Sequence, residues 1–318
     1  MRRLLFPFLA FVAAVAGVIA LISRLIRRRE AIDWRDASVP GRIAEIDGAG
    51  IHYLDEGSGA AVILIHGFGG HTFSFRHTIP ALARDYRVIA VDLMGFGYSE
   101  RPANADYSLT AHATRVLRLM DHLGIDRAAA VGHSMGGEVL MRMASMAPDR
   151  IARLVLAGSV SGDRLPSLPV TPLIKPFLPA TARLTSHLTR RRSVYDPSHF
   201  TPEVREAYLA PMRVKGSVNG LYQILRDGRN DGKIDYSPIT QPVLVLWAAG
   251  EKIVPKVALR KIREHLPQSE VVTIDNAGHL LLEEQPDVCN AAIRRFLTTP
   301  SAEKEAVPVK VDEGAVPA

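Results

Sequence analysis

Ser134 lies between two glycines in the pentapeptide Gly132-His133-Ser134-Met135-Gly136. An apolar run precedes it and a helix-like run follows it, which indicates a sharp strand-to-helix turn at the serine. Such a turn projects the hydroxyl clear of the sheet in a strained backbone conformation, and bulkier residues in place of the glycines would clash. It also aims the unpaired N–H groups of the helix start at negative charge that forms there. The pattern predicts that Ser134 is a nucleophile.

A serine hydroxyl is a weak nucleophile and needs a general base. His279 lies in the segment TIDNAGHLLLEEQP, in a loop between the last predicted strand and the final helix. Because the strand ends of a parallel sheet share one edge, this loop can approach Ser134. His133 is interpreted as a packing residue of the turn. A polar surface role is expected for the histidines within hairpin or helix patterns, which are His52, His112, His122 and His265.

The imidazole in turn needs a carboxylate, which fixes its tautomer and stabilises the imidazolium. Glu251 is the only acid in the loop AAGEKIVP, which follows the strand-like run PVLVLW. It lies after Ser134 and before His279, which gives the order serine, acid, histidine. Asp163, after the run RLVLAGSVSG, is the alternative acid. In a third interpretation, Glu251 is a solvated loop charge without a catalytic role.

The glycine-rich segment LIHGFGG follows the first long apolar strand. A loop of this kind can present backbone N–H groups close to the serine and stabilise an oxyanion there. The expected donors are the main-chain amides of Phe68 and Met135, the second being the residue after the nucleophile. His66 and His71 flank the loop and are expected to shape it. No cofactor or metal ion is expected in this chemistry.

Short apolar runs alternate with amphipathic stretches along most of the chain. The runs predicted to be strands are AVILI (61–65), RVIAV (87–91), AAAV (128–131), RLVLA (153–157), PVLVLW (242–247) and EVVTI (270–274). TAHATRVLRLMDHLG and PKVALRKIREHL have helical spacing, and GRIAEIDGAGIHYLDEG alternates as a hairpin does. Strands that are apolar on both faces and alternate with helices predict an α/β fold, with a mostly parallel sheet covered on both sides.

The interval 160–240 breaks this alternation, because it contains no strand-like run and is rich in proline and basic residues. An insertion of this length between strands is more typical of a helical subdomain than of a loop. The last residues lack periodicity and are typical of a disordered tail. The predicted organisation is an N-terminal anchor (1–29), a linker (30–44), a core (45–159 and 241–298), a helical cap (160–240) and a tail (299–318).

The net charge of +6 resides in the N-terminal segment. Residues 1–29 contain arginines but no acid, and they account for the whole excess, so nucleic-acid binding is not expected. Leu4 to Ile22 is an unbroken apolar run, long enough to cross a bilayer core as a helix. We expect an uncleaved single-pass anchor rather than a secretory signal, whose apolar region is usually shorter. A small excess of arginines after the run favours a catalytic domain on the cytoplasmic side, without deciding the topology.

Several motifs occur in an order that is typical of a known superfamily: HGFGG, VDLMGFGYSERP, VGHSMGG, PVLVLWAAGEKIVP and AGH. Over about residues 45–298 the chain resembles the α/β-hydrolase fold superfamily. The resemblance implies an eight-stranded, mostly parallel sheet with a helical cap inserted after the sixth strand. It also implies that Ser134 is the nucleophile, His279 the base and Glu251 the counterpart of the usual aspartate. The local sequence WAAGE departs from the common WG-x-x-D pattern, which keeps Asp163 open as the acid.

The superfamily includes epoxide hydrolases and haloalkane dehalogenases, whose nucleophile is an aspartate, and Ser134 argues against both. Members with a serine include esterases, lipases, carbon–carbon bond hydrolases and cofactor-free peroxidases. Because the apolar N-terminus suggests a substrate drawn from a bilayer, we expect a membrane-anchored esterase or lipase that forms an acyl-enzyme on Ser134. The alternatives are a carbon–carbon bond hydrolase of ring-fission diketones and a tethered scaffold without catalysis. The expected partner is a small ester or lipid-like molecule, and the sequence leaves the oligomeric state open.

Overall fold

A computed structural model describes residues 14–19, 21, 24–25, 30–162, 192–228 and 231–299. The strands in this part of the chain are β1 (Arg42–Ile46), β2 (Ala49–Glu56), β3 (Ala61–Ile65), β4 (Arg87–Val91), β5 (Ala128–His133), β6 (Ile151–Ala157), β7 (Val243–Ala248) and β8 (Ser269–Ile274). They form one sheet in the order β1-β2-β4-β3-β5-β6-β7-β8. The pairs β1–β2 and β2–β4 are antiparallel, and the others are parallel. The prediction of an eight-stranded, mostly parallel sheet is therefore confirmed.

Helices cover both faces of this sheet. In the described ranges they are α1 (Thr78–Leu82), α2 (Leu109–His122), α3 (Met135–Met146), α4 (Pro202–Leu209), α5 (Ser217–Asp227), α6 (Lys256–His265), α7 (Leu281–Glu284) and α8 (Pro286–Thr298). Side chains alternate across a strand, so Ile63 and Ile65 of β3 share a buried cluster with α2 and α3. Val62 and Leu64 point the other way and share a second cluster with α1 and α8. This two-sided burial explains why the strands are apolar throughout.

Strand β5 is longer than the apolar run AAAV that predicted it. Its pairing with β6 continues through Gly132 opposite Leu156 and His133 opposite Ala157. Residue types that do not indicate a strand by themselves are held in one because the neighbouring strand supplies the hydrogen bonds. The extension delivers the chain directly to Ser134, at the carboxyl edge of the sheet.

Residues 192–228, here called the cap segment, lie between β6 and β7 and contain α4 and α5. The segment contacts loops that follow the carboxyl ends of two strands. The Tyr208 hydroxyl lies 3.0 Å from Ser74 Oγ, after β3, and the Ser193 carbonyl accepts the Leu280 N–H at 3.1 Å, after β8. The cap segment therefore lies over the edge of the sheet where Ser134 is located.

The predicted boundaries of the cap at 160 and 240 stay a prediction. Residues 163–191 and 229–230 lie outside the described residues, as do residues 300–318 of the predicted tail. The predicted linker 30–44 makes specific contacts: the Glu30 carboxylate accepts the backbone N–H groups that begin α5, from Gly216 at 3.0 Å and Val218 at 2.9 Å. These bonds connect the part of the chain that precedes β1 to the cap segment.

The prediction of a membrane anchor is wrong. Much of the segment 1–29 lies outside the described residues, and within it residues 14–19 are helical. Among the residues that the structure describes, no helix is both long and apolar enough to cross a membrane. The cytoplasm-facing, membrane-tethered location and the substrate drawn from a bilayer depended on that anchor and lose their basis with it.

Candidate active site

The strand-to-helix turn holds Ser134 in an unusual backbone conformation. Its φ of 53° and ψ of −118° lie in a region that residues with a side chain rarely occupy, at a cost of about 1–3 kcal/mol. The turn keeps this conformation because the Ser134 N–H donates to the Ala157 carbonyl at 2.9 Å, and the Gly137 N–H to the Ser134 carbonyl at 3.0 Å. The serine side chain is thereby held at the end of β5 and the start of α3.

The glycines of this turn allow close backbone approach, as the sequence predicted. A Cβ added at Gly136 would lie 2.1 Å from the Ile65 carbonyl oxygen, and one at Gly132 would lie 2.5 Å from the Gly136 oxygen. Neither contact can be relieved by rotating a side chain, because the opposing atoms belong to the backbone. The packing of α3 against the end of β3 therefore requires glycine at position 136, and the packing of α3 against β5 requires glycine at position 132.

The structure brings Ser134, His279 and Glu251 together. His279 Nε2 lies 3.0 Å from Ser134 Oγ, and His279 Nδ1 lies 2.8 Å from Glu251 Oε2. The other carboxylate oxygen accepts the N–H groups of Ile253 at 2.7 Å and Val254 at 3.0 Å. The Glu251 side chain is only 1% exposed and that of His279 only 9%. Three groups from distant parts of the chain thus form one continuous hydrogen-bonded line.

The electrostatics keep Glu251 ionised. Burial acts to raise the pKa of its carboxyl, but the hydrogen bond and charge interaction with His279, together with the two backbone N–H groups, outweigh burial and lower the pKa below its usual value. An ionised carboxylate only accepts hydrogen bonds, so the proton on His279 lies on Nδ1. The Nε2 lone pair then faces the Ser134 hydroxyl, which is the arrangement that a general base requires.

The loop after β7 absorbs the departure from the common WG-x-x-D pattern. Its Ala249 N–H donates to the Ile274 carbonyl at 2.9 Å, and its Gly250 N–H donates to the Ala277 carbonyl at 2.9 Å. A Cβ at Gly250 would lie 2.7 Å from that Ala277 oxygen, so glycine permits the loop to approach the neighbouring His279 loop. Glu251 follows directly. The alternative acid, Asp163, lies outside the described residues.

The glycine-rich loop after β3 lies against Ser134. A Cβ at Gly67 would be 2.9 Å from Ser134 Cβ, so the backbone that leads to the Phe68 amide passes directly beside the serine. The other predicted donor, the Met135 amide, lies at the first position of α3, where N–H groups have no partner within the helix. Both amides thus belong to backbone segments that adjoin Ser134, and their part in binding an oxyanion stays a prediction.

His66 holds the glycine-rich loop to the loop after β4. Its Nε2 accepts the Leu93 N–H at 3.0 Å, so Nδ1 carries the proton and donates to the Gly67 carbonyl at 2.7 Å. Burial, the largest influence, lowers the pKa of His66 to about 4, so the ring is neutral near pH 7. These contacts agree with the expectation that His66 shapes the loop.

Two histidines expected at the surface are instead buried. His52 is 3% exposed and His112 is 0% exposed. His52 Nδ1 lies 2.8 Å from Asp92 Oδ2, and Asp92 also accepts the Thr72 N–H at 2.7 Å and the Tyr98 N–H at 2.8 Å. The surface prediction was wrong for His52 because its partners come from other parts of the chain, which a local pattern does not reveal.

The residue before Ser134 has a contact that sequence reasoning missed. His133 Nε2 lies 2.8 Å from the carbonyl oxygen of His279, and the centroids of the two rings are 4.9 Å apart. In the sequence, the only indication that His133 has a role is its position beside Ser134. That position does not reveal that its hydrogen-bond partner is the distant residue His279.

Across the described ranges, no group of three or more His, Cys, Asp or Glu residues could hold a metal ion.

The fold and these motifs define the class of protein. The alpha/beta hydrolase fold family matches residues 60–286 of the sequence, and the chain belongs to that family. The resemblance inferred from the motifs is thereby confirmed. The protein is a hydrolase of this fold, which sets aside the alternative of a scaffold without catalysis.

Two of the similar proteins are named for different reactions, and a third is an uncharacterized hydrolase. An uncharacterized hydrolase of Bacillus subtilis, YugF, is 27% identical over 82% of this chain and 99% of its own length. The epoxide hydrolase CorEH is 27% identical in structural alignment, with a TM-score of 0.70 over 81% of this chain and 98% of its own. The 2-hydroxy-6-oxo-6-phenylhexa-2,4-dienoate hydrolase from Rhodococcus is 28% identical, with a TM-score of 0.67 over 82% of this chain and 100% of its own.

Proposed function

We propose that this hydrolase cleaves carboxylic esters through an acyl-enzyme on Ser134. The observation that carries the proposal is the line of hydrogen bonds from Ser134 Oγ through the His279 ring to Glu251. Because the ionised carboxylate accepts the proton on Nδ1 as a hydrogen bond, the imidazole can take a proton only at Nε2, which faces the Ser134 hydroxyl. The Glu251 carboxylate is the acid in this proposal.

In the first half of the reaction, Ser134 Oγ attacks the ester carbonyl carbon while His279 Nε2 takes the hydroxyl proton. Negative charge develops on the carbonyl oxygen, and the Phe68 and Met135 amides are the proposed donors to it. His279 then gives the proton to the alcohol oxygen as the carbon–oxygen bond breaks. Glu251 stabilises the imidazolium that exists between these two transfers.

In the second half, water takes the place of the departed alcohol. His279 Nε2 removes a proton from this water as its oxygen attacks the acyl carbon. The resulting intermediate collapses, the proton returns to Ser134 Oγ, and the carboxylic acid leaves. Every proton transfer in this cycle goes either to or from His279, so the reaction needs no other acid or base.

The chemistry of a serine nucleophile favours a carbonyl substrate. Attack by Oγ on an epoxide or a haloalkane would leave an alkyl ether on Ser134, and water does not readily cleave an ether. Attack on a carbonyl gives an ester, which water can cleave under the same general base. The similarity to the epoxide hydrolase CorEH therefore concerns the fold, and we do not propose that this protein catalyses the same reaction.

A second candidate is hydrolysis of a carbon–carbon bond next to a ketone. It is favoured by the alignment with the dienoate hydrolase from Rhodococcus, which covers that enzyme completely. The same serine and histidine can attack a ketone, but the leaving group is then a carbanion that must be protonated at carbon. Parallel assays with p-nitrophenyl esters of different acyl length and with a ring-fission diketone distinguish the two candidates.

A fluorophosphonate probe tests the nucleophile directly. The probe is expected to label the wild type at Ser134, as located by peptide mapping, and to leave Ser134→Ala unlabelled. Ser145→Ala is the matched control, because Ser145 lies on α3 with its hydroxyl bonded to the Asp235 carbonyl at 2.7 Å. Labelling of Ser134→Ala at the wild-type rate would overturn the proposal.

A further inference from the structure

In the loop that carries His279, three consecutive residues each have one backbone group held by a different part of the molecule. The Gly278 N–H donates to Glu284 Oε1 at 2.9 Å, within the same segment. The His279 carbonyl accepts from the ring of His133 at 2.8 Å. The Leu280 N–H donates to the Ser193 carbonyl of the cap segment at 3.1 Å. The second contact is the only one of these three that connects His279 to the strand of the nucleophile.

The partner of His133 determines which ring nitrogen carries the proton. A carbonyl oxygen can only accept, so His133 Nε2 must be the donor. Burial, and to a smaller extent the nearby His279 ring, lower the pKa of His133, and the contact with the carbonyl raises it without compensating, so that the net pKa is about 4. Near neutral pH the ring is therefore uncharged, with its proton on Nε2. It adds no positive charge beside the imidazolium that forms on His279 during catalysis.

The other side of the His133 ring faces the glycine-rich loop. A Cβ added at Gly67 would lie 3.0 Å from His133 Nδ1 and 2.9 Å from Ser134 Cβ. The ring is thus enclosed between the loop that leads to the Phe68 amide and the loop that carries His279. Because His133 and Ser134 are consecutive, any change in the position of this ring acts on the base and the nucleophile together.

We propose that His133 is a positioning residue, whose Nε2–H fixes the backbone of His279 so that the His279 ring stays within hydrogen-bond reach of Ser134 Oγ. This inference rests on the proposed function of Ser134 and His279. Its physical basis is that the position of the His279 ring relative to Ser134 depends on the position of the His279 main chain. Displacement of a reacting group by about 1 Å can lower a rate about 100-fold.

Two amide substitutions test the donor at matched polarity. In His133→Gln, the side-chain amide nitrogen reaches the position of Nε2 and can donate to the His279 carbonyl. In His133→Asn, the amide nitrogen reaches only the position of Nδ1 and cannot. Both variants are neutral and polar, and thermal unfolding measured for each shows that the comparison is made between folded proteins.

With an ester substrate, we expect kcat of His133→Asn to fall about 10- to 100-fold with KM nearly unchanged. His133→Gln is expected to recover most of kcat. Phosphonylation of Ser134 by the fluorophosphonate should slow in parallel with kcat, because it needs the same base. A role in packing alone would not distinguish two amides by the reach of their donor.

Equal kcat values for the Gln and Asn variants, at similar melting temperatures, would overturn the positioning role. If either variant fails to fold, a third variant, His133→Met, is used instead, because Met fills the space without providing a hydrogen-bond donor. Labelling of Ser134 by the fluorophosphonate in His133→Met at the wild-type rate would overturn the inference. The proposed function is judged separately by Ser134→Ala. If the variants at position 133 do not differ in kcat while Ser134 is still labelled in the wild type, this inference is refuted and the proposed function is not.

Discussion

Glu251 uses both of its carboxylate oxygens: Oε2 lies 2.8 Å from His279 Nδ1, while Oε1 accepts the backbone N–H groups of Ile253 and Val254. The two N–H groups fix the plane of the carboxylate and leave Oε2 free to face the imidazole. The side chain, which is one methylene longer than the usual aspartate, is thus held at both of its carboxylate oxygens. Glu251 and His279, the proposed acid and base, are thus connected through a single carboxylate oxygen.

Glu251→Gln is expected to lower kcat for ester hydrolysis by about 10³- to 10⁴-fold, because an amide does not hold the Nδ1–H tautomer of His279 or stabilise the imidazolium. Asp163→Asn is the control and is expected to retain most of the activity. Steady-state kinetics on both variants provide the comparison. The opposite ranking would assign the role of the acid to Asp163.

The buried pair His52–Asp92 supports a second prediction, on stability. His52 Nδ1 faces the Asp92 carboxylate at 2.8 Å and its Nε2 faces the Pro40 carbonyl at 2.9 Å. Both partners are acceptors, so both nitrogens carry protons and the ring is cationic. Asp92→Asn removes the charge that pairs with this cation, and we expect a loss of about 3–5 kcal/mol in the free energy of unfolding, measured by urea denaturation.

The pH dependence of this pair follows from two opposite pKa shifts. Burial acts to lower the pKa of His52, but Asp92 outweighs it and raises that pKa above 6.5. Burial acts to raise the pKa of Asp92, but His52 outweighs it and lowers that pKa well below 3.8. The stabilisation by His52 is full below pH 6.5 and is lost as pH rises through the folded pKa. The stabilisation by Asp92 is present above pH 3.8 and is lost as pH falls through its folded pKa.

We therefore expect the melting temperature of the wild type to exceed that of His52→Gln most between about pH 4 and pH 6.5. The difference should shrink as the pH is raised to 9. His122→Gln, at the exposed end of α2, is the control and should show a small difference at every pH. A gap for His52→Gln that stays constant from pH 6 to pH 9 would show that His52 is not cationic in the folded protein.

The sequence predicts those features of this molecule that depend on short segments. The strands are predicted because they are apolar on both faces, and the turn at Ser134 because its glycines sit at fixed offsets. The order of motifs then predicts which strand ends meet, and so that Glu251 and His279 approach Ser134. Each of these inferences needs only local composition and the rule that parallel strands end at one edge.

Contacts between distant segments were missed for a physical reason. His52 was expected at the surface, but its carboxylate partner is 40 residues away, and the carbonyl partner of His133 is 146 residues away. Periodicity describes which way a side chain points and not which polar group it meets. The anchor was inferred from composition alone, from an apolar run between residues 4 and 22. A membrane span also requires a helix that is long and apolar enough to cross the bilayer, and the described part of the chain contains none.

The turn at Ser134 provides a steric prediction. Gly136→Ala would place a Cβ 2.1 Å from the Ile65 carbonyl oxygen and 2.6 Å from the His66 oxygen, and neither backbone atom can move without shifting β3. Overpacking of this kind typically costs about 1–3 kcal/mol, and sometimes more. Gly232→Ala is the matched control, since nothing lies within 4 Å of a Cβ there. Equal melting temperatures for the two variants would contradict the close packing of α3 on β3.

Glu283 and Tyr208 connect the cap segment to the segment that carries His279. The Tyr208 hydroxyl donates to Glu283 and lies 3.0 Å from Ser74 Oγ, and Arg76 also donates to Glu283. Burial, followed by the Glu283 charge, raises the pKa of Tyr208 well above its usual value, so the hydroxyl stays protonated and remains a donor. This contact holds α4 to the core just four residues beyond the proposed base.

Tyr208→Phe removes that donor and leaves the Glu283 carboxylate, which is only 5% exposed, with one partner fewer. A buried acceptor that loses a partner costs about 1–3 kcal/mol, and here the loss weakens the attachment of the cap segment to the core. We expect faster proteolysis within residues 192–228 and a higher KM for esters, with kcat less affected because Ser134 and His279 are untouched. Tyr195→Phe is the control, because Tyr195 is 52% exposed and loses the same oxygen at the surface. If the two variants change KM and proteolysis equally, the Glu283 contact does not hold the cap segment over the site.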